Sequence, residues 1–123
     1  MIDFDNGFIK LRPVDINDVR SMVEPMLVDG ENIFGAFSTV RDKLIFTTKR
    51  IIAVNQQGML GSKVDFTSLP YSKIQAFSIE TSGTFDRDCE LQIYISSIGL
   101  ISFEFTGGFD IKGFNRLIST FVL

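Results

Sequence analysis

A run of polar and acidic side chains between positions 80 and 90 carries the most potential chemistry in this sequence. Its members are Glu80, Thr81, Phe85, Asp86, Asp88 and Glu90. Hard cations such as Ca²⁺ prefer several carboxylate oxygens close together, and the spacing Asp86-x-Asp88-x-Glu90 meets that need in part. However, Leu91 stands where a calcium loop of the EF-hand type needs its turn glycine. Alternate residues of any strand share a face, so we expect no metal site and interpret the run as an interaction surface.

A second group with binding potential consists of five cations: Arg41, Lys43, Lys49, Arg50 and Lys63. Brought together at the turns of one sheet, they would form a basic rim able to hold an anionic lipid head group. Anionic membranes attract clusters of about four to eight basic residues, whereas charges along a hairpin also discourage pairing between sheet edges. Because Asp42 interrupts the group and the net charge is −3, we favour an ordinary charged hairpin and do not expect membrane binding.

The absence of certain residue types excludes several kinds of enzyme. The chain has no histidine and one cysteine, Cys89, so it lacks the imidazole of a nucleophilic triad and the four ligands of a structural zinc site. Glu80 and Glu104 could supply paired carboxylates for acid–base chemistry, but small barrels are filled by their own side chains and leave no substrate groove. We expect no enzyme activity, no catalytic residue and no cofactor.

The charge balance argues against a nucleic-acid partner. Lys and Arg number 12 against 15 Asp and Glu, whereas nucleic-acid binding depends on a basic surplus that neutralises phosphates. The first ten residues contain Asp3 and Asp5 and lack the apolar core of a secretory signal. No stretch approaches the ~18 apolar residues of a membrane-spanning helix. These features predict a cytoplasmic protein that binds no nucleic acid.

The elements that position these groups begin with a short N-terminal extension. With 123 residues, the chain is expected to form one domain, 1–123. Its pattern predicts a short strand over 8–11 that ends before Pro13. A helix follows, capped by Asp15 and closed near Val23 because Pro25 interrupts it.

The rest of the chain is dominated by strand patterns until its last residues. Pro70 should stand in a turn, since proline cannot occupy a central strand, and Gly35 is a candidate bulge. Asp110 should cap a closing helix whose apolar stripe covers the open end of the sheets. Seven segments are predicted as strands: 33–41, 43–48, 50–56, 64–67, 74–80, 91–96 and 101–106.

Several short sequence motifs in this region resemble those of the bacterial pleckstrin-homology (PH) domain family. The run 41–52, Arg-Asp-Lys-Leu-Ile-Phe-Thr-Thr-Lys-Arg-Ile-Ile, is similar to that family's strand–turn–strand motif. Further matches continue in the family's order: 57–58 with Gly61, 69–71 with Ile74, 77–81, Gly83, 85–86 and 88–91. The resemblance covers about 27–121, with 1–26 as an extension. Two positions depart from the pattern: Asn55 stands where Asp is expected, and Ser62 where a second Lys is expected.

The resemblance implies a fold and a way of acting. The fold is mainly β (α+β): a PH-like barrel of about seven antiparallel strands with an N-terminal helix and a C-terminal capping helix. The implied role is a non-catalytic scaffold or protein-interaction module that forms a homo-oligomer. Family analogy gives this oligomer a ring shape and adds a protein partner as a second expectation. The alternative is a PH domain that binds an anionic lipid head group or a peptide. Phe34, Phe37 and Phe85 are candidate interface anchors, and a core position is the alternative for each of them.

Overall fold

The computed structural model describes residues 1–58, 62–81, 88–108 and 110–123. Two antiparallel sheets form it, with strand orders β1-β2-β3-β4-β5 and β6-β7-β8. Short 3-10 turns follow α1 and β5, at Glu24–Met26 and Tyr71–Lys73. The elements are β1 (Arg12–Pro13), α1 (Ile16–Val23), β2 (Ile33–Ser38), β3 (Asp42–Thr47), β4 (Arg50–Gln57), β5 (Lys63–Pro70), β6 (Ala76–Thr81), β7 (Cys89–Ile95), β8 (Gly99–Phe105) and α2 (Ile111–Val122).

The N-terminal helix covers the outer face of the first sheet. Asp15 caps α1 as predicted, its carboxylate accepting a hydrogen bond from the backbone N–H of Asn17 at 2.9 Å. Val19 and Val23 are buried against β2, β3 and β4 in a small apolar cluster. The predicted end of the helix at Val23 is also confirmed, because the 3-10 turn Glu24–Met26, which contains Pro25, follows it directly.

The main core lies between the inner faces of the two sheets and is closed at one end by α2. Asp110 caps α2 by accepting from the N–H of Gly113 at 3.1 Å. The ring of Phe114 packs edge-on against Phe46, with centroids 4.9 Å apart. Phe121, next to the last residue of α2, stacks on Tyr71 with ring centroids 5.8 Å apart. The C-terminal capping helix and the PH-like fold are therefore confirmed, although the two sheets do not close into one continuous barrel in the part of the chain that the structure describes.

Two local predictions were wrong. Residues 8–11 do not form a strand, because Phe8 and Lys10 adopt left-handed backbone conformations with φ of 55° and 59°; the two-residue β1 follows them and includes Pro13. Pro70 ends strand β5 and lies opposite Arg50. A proline is tolerated there because β5 is an edge strand, which needs hydrogen bonds on one side only. The bulge predicted at Gly35 is confirmed by a register shift between Ile33 and Gly35.

Candidate interaction surface

The outer face of the second sheet is made of three rows of side chains that cross β6, β7 and β8 in register. Ala76, Tyr94 and Leu100 form an apolar row, followed by a polar row of Ser78, Gln92 and Ser102. The third is Glu80, Glu90 and Glu104, called here the glutamate row. Tyr94 and Leu100 are exposed, so this face differs from the outer face of the first sheet, which α1 covers.

The glutamate row concentrates negative charge on one end of this face. Like charges directly opposite one another on neighbouring strands destabilise a sheet. No Lys or Arg in the described ranges forms a salt bridge with Glu80, Glu90 or Glu104. Asp88, just before β7, accepts a hydrogen bond from the Thr106 hydroxyl at 2.6 Å. In the same described ranges, no group of three or more carboxylate, thiol or imidazole side chains is arranged to hold a metal ion.

Four of the six residues predicted as an interaction surface lie around this row. Glu80, Thr81, Asp88 and Glu90 line a shallow cavity of about 300 Å³ together with Cys89 and Glu104. The other two, Phe85 and Asp86, lie outside the described residues. The sequence pairs Glu104 with Glu80 only as possible acid–base carboxylates. Its place as the third member of the row depends on strand register, which cannot be read from one segment alone.

Cys89 faces the core beneath this surface. Its side chain is buried, and burial together with the nearby charge of Asp88 raises the pKa of its thiol to about 11. A thiol with a raised pKa is rarely ionised at neutral pH and is a poor nucleophile. Cys89 therefore serves as an apolar core residue.

The five cations predicted as a basic rim are divided between two ends of the first sheet. Arg41, Lys43 and Lys63 lie where β3 begins, while Lys49 and Arg50 lie at the turn where β3 ends. The six residues of β3 separate these ends by about 20 Å. The guanidinium of Arg41 also donates to the backbone carbonyls of Gln56 and Gly58, at 3.4 and 3.3 Å.

Arg50 is bound to a buried carboxylate that the sequence analysis did not single out. Its Nε donates to Glu31 Oε2 at 2.9 Å, and one Nη to Glu31 Oε1 at 3.1 Å. The Thr47 hydroxyl donates to the same carboxylate at 2.6 Å. Burial raises the pKa of Glu31, but the hydrogen bonds from Arg50, Thr47 and the Val28 N–H outweigh it, so the pKa is lowered overall. This network fastens the loop after α1 to the β3–β4 turn.

Of the four outer sheet edges, two are joined and two are left unpaired in the described residues. The segment 8–13 joins one side: β1 pairs with β2, and the N–H of Leu11 donates to the carbonyl of Glu104 in β8 at 2.9 Å. On the opposite side, β5 and β6 end their sheets, and neither outer edge forms a backbone ladder. Within the described residues, the outer backbone groups of β5 and β6 therefore lack a partner strand, as at the edge of any sheet.

The predicted Phe anchors have different positions. Phe37 is 5% exposed and packs edge-on against Phe105 at 4.7 Å, so of the two possibilities left open by the sequence it is a core residue. Phe34 is half-buried and stacks on Phe121 at 5.1 Å. Phe85 lies outside the described residues.

Comparison with known proteins identifies relatives over most of the chain. The family model of the bacterial PH domain matches residues 4–122. The uncharacterized protein YjqA of Bacillus subtilis strain 168 is 46% identical over 82 residues, which are 67% of this chain and 66% of YjqA. The match thus spans just under two thirds of YjqA's length.

Two solved structures share the fold. A DUF1696 family protein with a pleckstrin-homology domain from Shewanella loihica PV-4 has a TM-score of 0.81 and 34% identity, covering 94% of this chain and 99% of its own. A pleckstrin homology domain from Shewanella amazonensis SB2B has a TM-score of 0.66 and 38% identity, covering 89% and 90%. Within the described residues, every helix is too short or too polar to cross a membrane.

Proposed function

This chain belongs to the bacterial PH domain family, and we propose that it is a non-catalytic module that assembles with copies of itself through its unpaired strands. The observation that carries the proposal is the pair of open edges at β5 and β6. Natural sheets usually protect an edge with lysines, prolines, bulges or a covering element. The six residues of β6 carry one charge, Glu80, and no proline. An edge of this kind is suited to pairing with another strand.

The contrast with the opposite side of the molecule supports the same proposal. There the chain uses its own residues 8–13 to join β2 and β8. Among the described residues, the chain thus covers the sheet edges at β2 and β8 and leaves those at β5 and β6 uncovered. Tyr94 on β7 and Leu100 on β8 are exposed on the same uncovered face and add apolar surface that a neighbouring molecule would shield from water.

Light scattering coupled to size-exclusion chromatography tests this function. For a 13.8 kDa chain, we expect a discrete mass that is a whole multiple of the monomer at micromolar concentration. Dilution should shift the equilibrium toward smaller species if the contacts are reversible. A monomeric mass over the whole micromolar range would refute the proposal.

The alternative role, binding of an anionic lipid head group, has weaker support. A head-group site needs several cations that converge on one point, and here they are separated by the length of β3. Sedimentation with vesicles of phosphatidylcholine and phosphatidylserine compares the two roles. We expect no more protein to pellet with anionic vesicles than with neutral ones, and salt-sensitive pelleting would favour the lipid role.

A further inference from the structure

Asn6 and Gly7 form the exposed tip of a loop near the start of the chain. Ile2 is buried before this loop, and Phe8 is buried directly after it. Asn6 and Gly7 themselves are exposed and belong to no helix or strand. The loop is therefore held at both ends, while its tip lies in solvent.

The backbone requires a glycine at position 7. Gly7 has φ of 91°, which residues with a side chain rarely adopt. A Cβ at this position would lie 2.9 Å from Oδ2 of Asp42, the oxygen that accepts a hydrogen bond from the N–H of Phe8. The fold thus places a glycine directly after an asparagine. With no side chain on the following residue, nothing shields the Asn6 side chain from the next backbone nitrogen.

We propose that Asn6 is a site of spontaneous deamidation in the folded protein and that its isoaspartyl product loosens the segment that joins the two sheets. The backbone nitrogen of Gly7 attacks Cγ of Asn6. The bond between Gly7 N and Cγ forms, the Cγ–Nδ2 bond breaks, and Nδ2 leaves as ammonia with the proton that Gly7 N gives up. Water then opens the five-membered succinimide at either carbonyl and gives aspartate or isoaspartate. Water is the only co-reactant, and the site does not depend on self-assembly.

The surroundings of Asn6 allow both steps. Within the described residues, neither the Asn6 side chain nor the Gly7 N–H forms a hydrogen bond, so no contact holds the reacting atoms apart. Both residues line an open cavity of about 330 Å³ that also includes the polar side chains of Asp3 and Arg41. Water can therefore reach the succinimide for the second step.

The other four asparagines of the chain lack this combination. Asn17 and Asn115 lie in α1 and α2, and Asn55 lies in β4, where the regular backbone holds the side-chain carbon away from the next nitrogen. Asn32 is followed by a β-branched residue, and its amide donates to the carbonyl of Gly30 at 3.3 Å. These four residues are internal references for the rate at Asn6.

Isoaspartate changes the path of the main chain. The chain then runs through the former side chain, so the connection from Ile2 to Phe8 gains one backbone bond of about 1.5 Å. The hydrogen bond from the Phe8 N–H to Asp42 Oδ2, 2.8 Å long, lies one residue beyond Gly7. Displacing this N–H would leave the buried Asp42 carboxylate with one donor fewer. The modification would thus weaken the attachment of the segment 8–13, which joins β2 to β8.

Peptide mapping of aged protein provides the main test. The folded chain is incubated in buffer at pH 8 and then digested with trypsin. The tryptic peptide 1–10 contains Asn6 as its only side-chain amide. We expect this peptide to gain about 1 Da, the difference between an amide NH2 and a hydroxyl. The product should separate by chromatography into aspartyl and isoaspartyl forms, and the peptides with the other four asparagines should keep their mass.

Two variants isolate the chemistry and its effect on stability. Asn6→Gln keeps an amide but would need a six-membered ring for the same attack, so its mass should stay constant. Asn6→Asp, measured fresh, carries the charge of the product on a normal backbone and should unfold in urea at the wild-type midpoint. In aged wild type, the isoaspartyl form should have an unfolding equilibrium constant raised about tenfold, about the cost of one lost hydrogen bond to a charged group.

A synthetic peptide of residues 1–10 gives the deamidation rate without the fold. If this peptide deamidates while the folded chain keeps its mass, the loop protects Asn6 and the proposed site is overturned. If the folded chain gains isoaspartate but unfolds at the midpoint of fresh protein, the proposed loosening is overturned. A mass gain confined to peptide 1–10, with a lowered midpoint in aged wild type and an unchanged one in aged Asn6→Gln, supports the proposal.

Discussion

The carboxylate of Asp42 accepts a hydrogen bond from the backbone N–H of Phe8 at 2.8 Å, although 34 positions separate the two residues. Its other oxygen accepts from the side-chain amide of Asn55 at 2.5 Å. Asp42 is itself buried. The β3–β4 pair thus holds the segment that joins the two sheets on one side of the molecule.

Asn55→Asp tests this arrangement. The substitution places a second carboxylate beside Asp42 and replaces an amide donor with an acceptor. Two carboxylates in contact cannot both stay ionised without a cost, so we expect a loss of about 2–3 kcal/mol in the free energy of unfolding at pH 7. Asn55→Ala, which removes the amide donor without adding a charge, is the control and should lose less. Urea unfolding at pH 7 measures both variants, and an equal loss in both would contradict the explanation.

The sequence alone shows that Asn55 stands where the family pattern has Asp, but it does not show which residue the Asn55 side chain contacts. Residue 55 faces residue 42 only once β3 and β4 are paired in the observed register. The helices and most strands were predictable because caps and apolar periodicity are local signals. The left-handed backbone at Phe8, the glutamate row and the Glu31–Arg50 pair depend on contacts between distant segments, so local patterns did not predict them.

Arg50→Met should destabilise the protein strongly. The variant keeps much of the apolar stem but leaves the buried carboxylate of Glu31 without its cation. Breaking a buried ion pair by removing one partner costs about 3 kcal/mol or more. Lys49→Met, next to it and exposed, is the matched control and should change the free energy of unfolding by less than about 0.5 kcal/mol. If both variants lost a similar amount of unfolding free energy, the ion pair with Arg50 would contribute little to stabilising the buried carboxylate of Glu31.

The same carboxylate should make stability depend on pH in the acid range. Because folding lowers the pKa of Glu31, the unfolded chain takes up its proton at a higher pH than the folded chain. The stabilisation is complete above the unfolded pKa of about 4.5 and is lost as the pH falls through the lowered folded value. Glu31→Gln should reduce the slope of unfolding free energy against pH below 4.5. An unchanged slope would assign the acid sensitivity to other groups.

Cys89 should react slowly with thiol reagents while the protein is folded. Its thiol is buried, and its pKa of about 11 keeps the thiolate fraction small near pH 8. With a coloured disulfide reagent at pH 8, we expect labelling at least a hundredfold slower in buffer than in 6 M guanidinium, roughly as the lower thiolate fraction implies. Equal rates in the two solutions would mean that the thiol is accessible in the folded chain.

Lys10→Gly should stabilise the protein, although glycine is usually unfavourable. Lys10 is exposed and has φ of 59°, a conformation that costs a residue with a side chain about 1–2 kcal/mol and that glycine adopts freely. Part of this gain is offset by the larger conformational freedom of glycine in the unfolded chain, which leaves an expected gain of about 0.5–1 kcal/mol. Lys112→Gly, an exposed position within α2, is the control and should lose about 0.5–1 kcal/mol. Urea unfolding measures the free energy of unfolding of both variants. If Lys10→Gly were also less stable than the wild type, the left-handed backbone at Lys10 would carry no cost that glycine can remove.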